Sequence, residues 1–218
     1  MAEIPQAAPD DSAPVAGVVG VALAGGASRR MGRDKAALLI GGEPLLRRAV
    51  TRLRLALAEV IVVGSPTLSP LAPETRLVAD DWPGRGPLGA LATALRATAA
   101  EWVFLVACDM PFTQPALIRE IARVALSSPE AEVVAQRGVR GVEPLHAAYR
   151  RACLPLALER LAGDDVSLRG LLAVARVREL APEVVQRLDP SGRSAFNANT
   201  PEEWERALRL AAEEEASD

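Results

Sequence analysis

The stretch Val18–Leu38, VVGVALAGGASRRMGRDKAAL, decides the reading of the fold. It opens on an apolar run with no polar alternation, the pattern of a strand covered on both faces of a parallel sheet. A glycine-rich, basic loop follows at once, and seven of the chain's sixteen glycines lie between Gly17 and Gly42. Glycine after a strand lets the backbone turn tightly and approach a ligand, and amide groups exposed there can cradle phosphate oxygens. A tight turn with a solvated basic tail is the plain structural alternative. Two named phosphate loops are absent. Gly32 is followed by Arg33 rather than by Lys-Ser/Thr, and Gly25 adjoins Gly26, which breaks a GxGxxG spacing.

Outward from this stretch, short apolar runs recur at Val60–Val63, Leu77–Val78, Trp102–Cys108, Glu132–Ala135 and Leu145–Tyr149. Between them, apolar residues at three- and four-residue spacing predict helices over Leu45–Leu57, Leu88–Ala99, Pro115–Leu126 and Ala152–Leu161. Strand–helix–strand alternation implies parallel pairing. The expected class is α/β: a three-layer α/β/α sandwich around a Rossmann-like, mostly parallel sheet. Thr200-Pro201-Glu202-Glu203 reads as a capping box with proline at the first helical position, opening a last helix.

The 218 residues suit one domain or at most two, and 50% hydrophobic with 24% charged residues excludes collagen-like, disordered and disulfide-scaffold classes. Aromatics are only 3%, so the core must bury its area through many small side chains. A net charge of −3 offers no basic face for nucleic acid. Residues 1–16, rich in Ala, Pro and Asp, read as a disordered extension, with one domain over 17–218. That start lacks the pattern of a signal peptide, and the longest apolar run is too short to span a bilayer. Two distant cysteines, Cys108 and Cys153, form neither a zinc cluster nor a disulfide framework. A cytoplasmic protein without a membrane partner is the expectation.

Lys35 is the chain's one lysine among twenty-five basic side chains. A chain that otherwise uses arginine, yet places a compact ammonium beside a glycine loop, points to phosphate oxygens. Arg29 is the preferred second phosphate contact. Asp109, just past the apolar strand of WVFLVACDMPF, stands where open parallel sheets bind ligands, and a lone carboxylate there suits Mg²⁺. Asp80, after another short strand in LVADDWPGRG, is a nucleotide-site candidate, although Asp is common in turns. Asn197 and Asn199, the only two asparagines, would point to one side of an extended backbone and build a substrate or metal contact. His146 and Cys108, each in an apolar run, read as structural.

These motifs resemble the molybdenum cofactor guanylyltransferase (MobA) family within the nucleotidyltransferase superfamily. LAGGASRRMGRDKAAL is similar to its LAGG, Ser, Arg-Met-Gly and Asp-Lys signature, ACDMPF to its CDxPF, and FNANTPEE to its NxNTPE; with DDWPGRGPLGAL and EPLHAAYRR the likeness spans residues 17–212. The resemblance implies a nucleotide-diphospho-sugar transferase type of fold and transfer of GMP from GTP to the terminal phosphate of Mo-molybdopterin, with release of pyrophosphate. It implies nucleotide contacts by Leu23, Ala24, Gly25, Gly26, Ser28, Lys35, Asp80 and Asp109. Catalysis would fall to Lys35, Asp109 and Arg29, with Mg²⁺ on Asp109 and the acceptor near Asn197 and Asn199. It further implies transient contact with molybdenum-insertion and molybdoenzyme proteins. Gly26 and Asp34, where related cytidylyltransferases show LAAG and a proline before the lysine, favour guanine over cytosine. The chain departs from the family at its N-terminal extension, at Gly64-Ser65, where an Asn contact is expected, and at His146. A molybdopterin cytidylyltransferase or a sugar-1-phosphate nucleotidylyltransferase shares the loop chemistry. A non-catalytic nucleotide-binding module would not need both Lys35 and Asp109.

Overall fold

The computed structural model describes residues 12–25, 35–138 and 141–215. β1 (Val15–Ala24) is an interior strand of a seven-stranded sheet. The remaining elements follow in chain order. They are β2 (Leu39–Ile40), β3 (Glu43–Pro44), α1 (Leu45–Arg54), β4 (Leu57–Gly64), β5 (Arg76–Ala79), α2 (Gly86–Ala97), β6 (Trp102–Ala107) and α3 (Pro115–Leu126). Then come β7 (Val133–Gly138), β8 (Gly141–Arg150), α4 (Cys153–Ala162), α5 (Leu168–Leu172), β9 (Val177–Glu179), α6 (Pro182–Leu188) and α7 (Pro201–Glu215). The sheet order is β5-β4-β1-β6-β8-β7-β9.

Side chains alternate across a strand, and both faces of β1 and β6 are covered, which is why neither reads as polar on one side. Val18 and Ala22 of β1 and Trp102, Phe104 and Val106 of β6 pack under α1, α3 and α6. Val19, Val21 and Leu23, with Val103 and Leu105, pack under α2, α4 and α5. The result is the expected three-layer sandwich. Pairing is parallel for β1/β4, β1/β6, β4/β5 and β7/β9, whereas β8 is antiparallel to both β6 and β7. The sheet is mostly parallel, as expected, and β8 runs against it for a simple reason. Gly138 and Gly141 bound too short a connection for a crossover helix, and such a link can only return the chain antiparallel. The short β9, α5 and α6 carry too few apolar residues to stand out as periodic segments.

β1 begins within the segment that composition assigned to the extension: Val15 N donates to Ala56 O at 2.8 Å. Residues 1–11 of that segment lie outside the described residues. β2 and β3 form a hairpin whose turn, Gly41-Gly42, has φ of 56° and 72°. Two consecutive positive φ angles are the requirement of a tight hairpin turn matched to strand twist, and glycine meets it without strain. Ile40, Leu45, Phe112, Ala198, Ala207 and Ala211 form a third, smaller cluster that joins the hairpin to α7. The capping box opens α7 as expected. Glu203 N donates to Thr200 Oγ1 at 3.1 Å and Thr200 N donates to Glu203 Oε2 at 3.0 Å.

Candidate active site

β1 and β6 end side by side, and Cys108 N continues their pairing by donating to Leu23 O at 3.0 Å. The row of strand ends runs Ala79, Gly64, Ala24 and then Ala107 beside Leu23, so the residues just after it line one rim of the sheet. Ligands of open parallel sheets bind beyond such carboxyl ends. Leu23 and Ala24 bury their side chains, while Gly25 is exposed and a Cβ there would meet nothing within 4 Å. Gly64 has the opposite surroundings: a Cβ would stand 2.2 Å from Ala24 O. Glycine therefore lets β4 close on the end of β1, and an Asn side chain is excluded from this backbone.

The loop that leaves β1 contains Gly26, Ser28 and Arg29, and these lie outside the described residues. Beyond it, Lys35 opens a 3-10 turn, Lys35–Ala37. Its Nζ stands 3.2 Å from Asp109 Oδ2 and donates to Asn199 Oδ1 at 2.8 Å. The two partners are 74 and 164 residues away in sequence. Both ionic side chains are 17% exposed, enough to be reached yet shielded enough to strengthen their attraction. Backbone contacts hold this junction from beneath. Met110 N donates to Ala107 O at 3.0 Å, turning the chain at Asp109, and Ala198 N donates to Asp109 O at 3.0 Å. Asn199 N in turn donates to Glu203 Oε2 at 2.7 Å.

The structure thus brings together Lys35, Asp109 and Asn199 and separates them from two other candidates. Asn197 turns its amide onto its own loop, donating to Ala195 O at 3.1 Å. The segment before α7 is not a strand, so a two-residue spacing does not place both side chains on one side. Asp80 follows β5 on the same rim, but its Oδ1 accepts from Trp82 N at 2.9 Å and lies 3.1 Å from Thr93 Oγ1. That closes the turn leading to α2. Two strand spacings of about 4.8 Å separate the β1 and β5 ends, so none of these contacts reaches the Lys35–Asp109 pair.

The structural readings of His146 and Cys108 agree with their surroundings. His146 is fully buried opposite Val106, edge-on to Phe104 with ring centroids 5.1 Å apart. Burial pushes its pKa down to about 4, partly offset by Asp189, and neither ring nitrogen meets a partner among the described residues. Cys108 packs into the core beneath α1 and α3. Cys153 donates its thiol to Glu132 O, and burial pushes that thiol up to about 12, far from a nucleophile. Among the described residues no three His, Cys, Asp or Glu side chains gather to hold a metal. A shallow cavity of 340 Å³ beside β9, lined by Ser128, Pro129, Arg176 and Arg178, contains none of the site residues. No helix among the described residues is long and apolar enough to cross a membrane. Arg48 on α1 was missed in the sequence, where nothing distinguishes it from Arg47; only packing shows one exposed and the other turned inward.

Residues 20–200 match the family described as the MobA-like NTP transferase domain. A protein of Opitutus terrae named probable molybdenum cofactor guanylyltransferase is 37% identical over 204 residues, covering 91% of this chain and 98% of its own. One of the same name from Pelotomaculum thermopropionicum is 35% identical over 193 residues, covering 88% and 92%. Among solved structures, molybdopterin-guanine dinucleotide biosynthesis protein A from Archaeoglobus fulgidus superposes with a TM-score of 0.79 at 21% identity, covering 89% of this chain and 99% of that one.

Proposed function

Because the chain belongs to the MobA-like NTP transferase domain family, we propose that it transfers GMP from GTP to the terminal phosphate of Mo-molybdopterin and releases pyrophosphate. The observation that carries this reading is the Lys35–Asp109–Asn199 junction beyond β1 and β6. Displacement at the α-phosphorus needs an acceptor held in line and positive charge on the leaving group. An ammonium has three donors. Lys35 commits two of them to Asp109 and Asn199, and the third would serve the phosphate oxygens. Asn199, fixed through its carbonyl and its backbone N–H, presents its amide hydrogens to the acceptor.

The acceptor is already an anionic phosphate, so no general base is needed. The inert surroundings of His146 and Cys153 suit this chemistry. Asp109, a hard oxygen donor with no cluster of three such ligands among the described residues, fits Mg²⁺, which prefers one or two carboxylates and fills its octahedron with water and phosphate oxygens. When bound there, the ion neutralises charge on the triphosphate. Backbone groups of Leu23, Ala24, Gly25 and Gly26 would meet the nucleotide, with Ser28 and Arg29 on its phosphates and Asp80 at the far end of the rim. Gly26 and Asp34 support guanine, and Asn197 shapes the acceptor loop that Asn199 completes. Two buried thiols without a disulfide suit a reducing cytoplasm, where molybdenum-insertion and molybdoenzyme proteins would meet the chain transiently.

The test is pyrophosphate release with Mo-molybdopterin, Mg²⁺ and each nucleoside triphosphate in turn. Turnover with GTP well above CTP, lost without the divalent ion, is the expected result. A preference for CTP would overturn the guanylyl assignment and leave the transferase reading standing.

A further inference from the structure

We propose that Arg48 is a positioning residue for the transfer, one guanidinium that sets the Asp109 turn and helix α7 at a fixed separation. The inference rests on the proposed reaction at the Lys35–Asp109–Asn199 junction. Arg48 lies on α1, directed inward, with its side chain 14% exposed. Its Nε donates to Pro111 O at 2.8 Å, two residues past Asp109. Its Nη2 donates to Glu214 Oε2 at 2.7 Å, in the last turn of α7. Arg52, one turn along α1, reaches the same carboxylate oxygen at 3.5 Å. α7 is therefore pinned at both ends, by its capping box at Thr200 and by α1 at Glu214.

A stack of rings continues the same tie. The guanidinium carbon of Arg48 sits 5.8 Å from the centroid of Phe112, and Phe112 meets Phe196 edge-on at 5.8 Å. Phe196 lies two residues before Ala198, whose N–H bonds Asp109 O, and three before Asn199, which receives Lys35. The line Glu214–Arg48–Phe112–Phe196 thus runs beneath the site and joins the segments that supply Asp109 and Asn199. α1 itself follows Lys35 through the β2–β3 hairpin, so all three site residues take their spacing from one helix face. A planar fork can address a carbonyl and a carboxylate in different directions, which a single ammonium cannot. Largely desolvated ion pairs contribute little net stability, so the consequence of this one is positional.

The test uses the full chain carrying Arg48→Ala, Arg48→Lys or Glu214→Ala, with two readouts. One is steady-state guanylyl transfer; the other is hydrogen–deuterium exchange over residues 108–113 and 195–203. Small displacements of reacting groups are costly, so Arg48→Ala is expected to lower kcat about 30-fold with KM for GTP changed less than about threefold. Exchange should quicken in the two segments and not across the sheet. Arg48→Lys should restore under about a third of the lost rate, because it cannot hold both partners. Glu214→Ala, which keeps Arg48 on Pro111, should quicken exchange only over 195–203, and it serves as the second variant if Arg48→Ala does not fold. Wild-type kcat in the alanine variants, full rescue by lysine, or exchange rising uniformly would overturn the proposal. If the wild type itself transfers no guanylyl group, the reaction assigned above fails, and the exchange pattern still decides whether Arg48 ties the two segments.

Discussion

At the carboxyl ends of β1 and β6, Lys35 stands 3.2 Å from Asp109 and 2.8 Å from Asn199, each side chain partly open to solvent. Within β8, opposite Val106 and Val103 of β6, His146 and Tyr149 are likewise polar in type but wholly buried. Tyr149 spends its hydroxyl on Pro144 O at 2.7 Å, and burial pushes its pKa well up; His146 has no partner for either ring nitrogen among the described residues. The difference is one of place on the strand. A polar group at a strand end keeps water and spare hydrogen-bonding capacity, so it can exchange partners with a ligand. A group in mid-strand has neither, and burial fixes its charge state instead.

The comparison breaks if the rim proves dispensable. Asp109→Ala and Lys35→Ala are expected to lower kcat for guanylyl transfer by about 10³-fold or more, near 4 kcal/mol, while circular dichroism stays native. Rates within tenfold of wild type in both would remove the distinction between rim and core. The core side is sharpened by pH. The unfolded imidazole titrates near its ordinary 6.5 and the folded one near 4, so between these values only the unfolded chain takes the proton, and stability falls as pH is lowered through that window. The full loss is about 3 kcal/mol, from roughly 1.4 kcal/mol per pKa unit. His146→Leu should flatten that slope in denaturant titrations at pH 4 to 7 and leave kcat unchanged; an unaltered slope would show that other groups govern acid stability.

Smaller effects separate residues within the rim. Asn199→Ala should cost about 10- to 30-fold in kcat, near 2 kcal/mol, since it removes a neutral partner of Lys35 and leaves the charged one. Asn197→Ala, whose amide serves its own loop, is expected to fall short of it, and equal losses would restore the reading of the two as a pair. Thr200→Ala removes half of the capping box and should lower stability by about 1 kcal/mol by denaturant melt, with kcat affected less than by Asn199→Ala.

Much of this was legible along the chain because it is written in local patterns. β1 and β6 show as unbroken apolar runs, Pro115–Leu126 as a helix with the observed bounds, and Thr200-Pro201-Glu202-Glu203 as a cap whose two hydrogen bonds are formed. Lys35 and Asp109 stood out by rarity and by position after a strand. Asn197 and Asn199 looked alike, and only the contact of Asn199 with Lys35 and the return of Asn197 onto Ala195 tell them apart. Asp80 and Asp109 also looked alike, each following a strand, until Thr93 and Trp82 closed the first into a turn.

The sequence by itself determined the layered α/β class, the central strands, the cap of α7 and the residue types able to meet a phosphate and a hard cation. Each depends on side-chain periodicity or on a few neighbouring residues, which the linear order contains. Tertiary structure decided the reversal of β8, the inward turn of Arg48 beside an exposed Arg47, and the meeting of Lys35 with residues 74 and 164 positions away. Those depend on which segments pack together, and packing is settled by burial summed over the whole sheet rather than by any residue's neighbours in the chain.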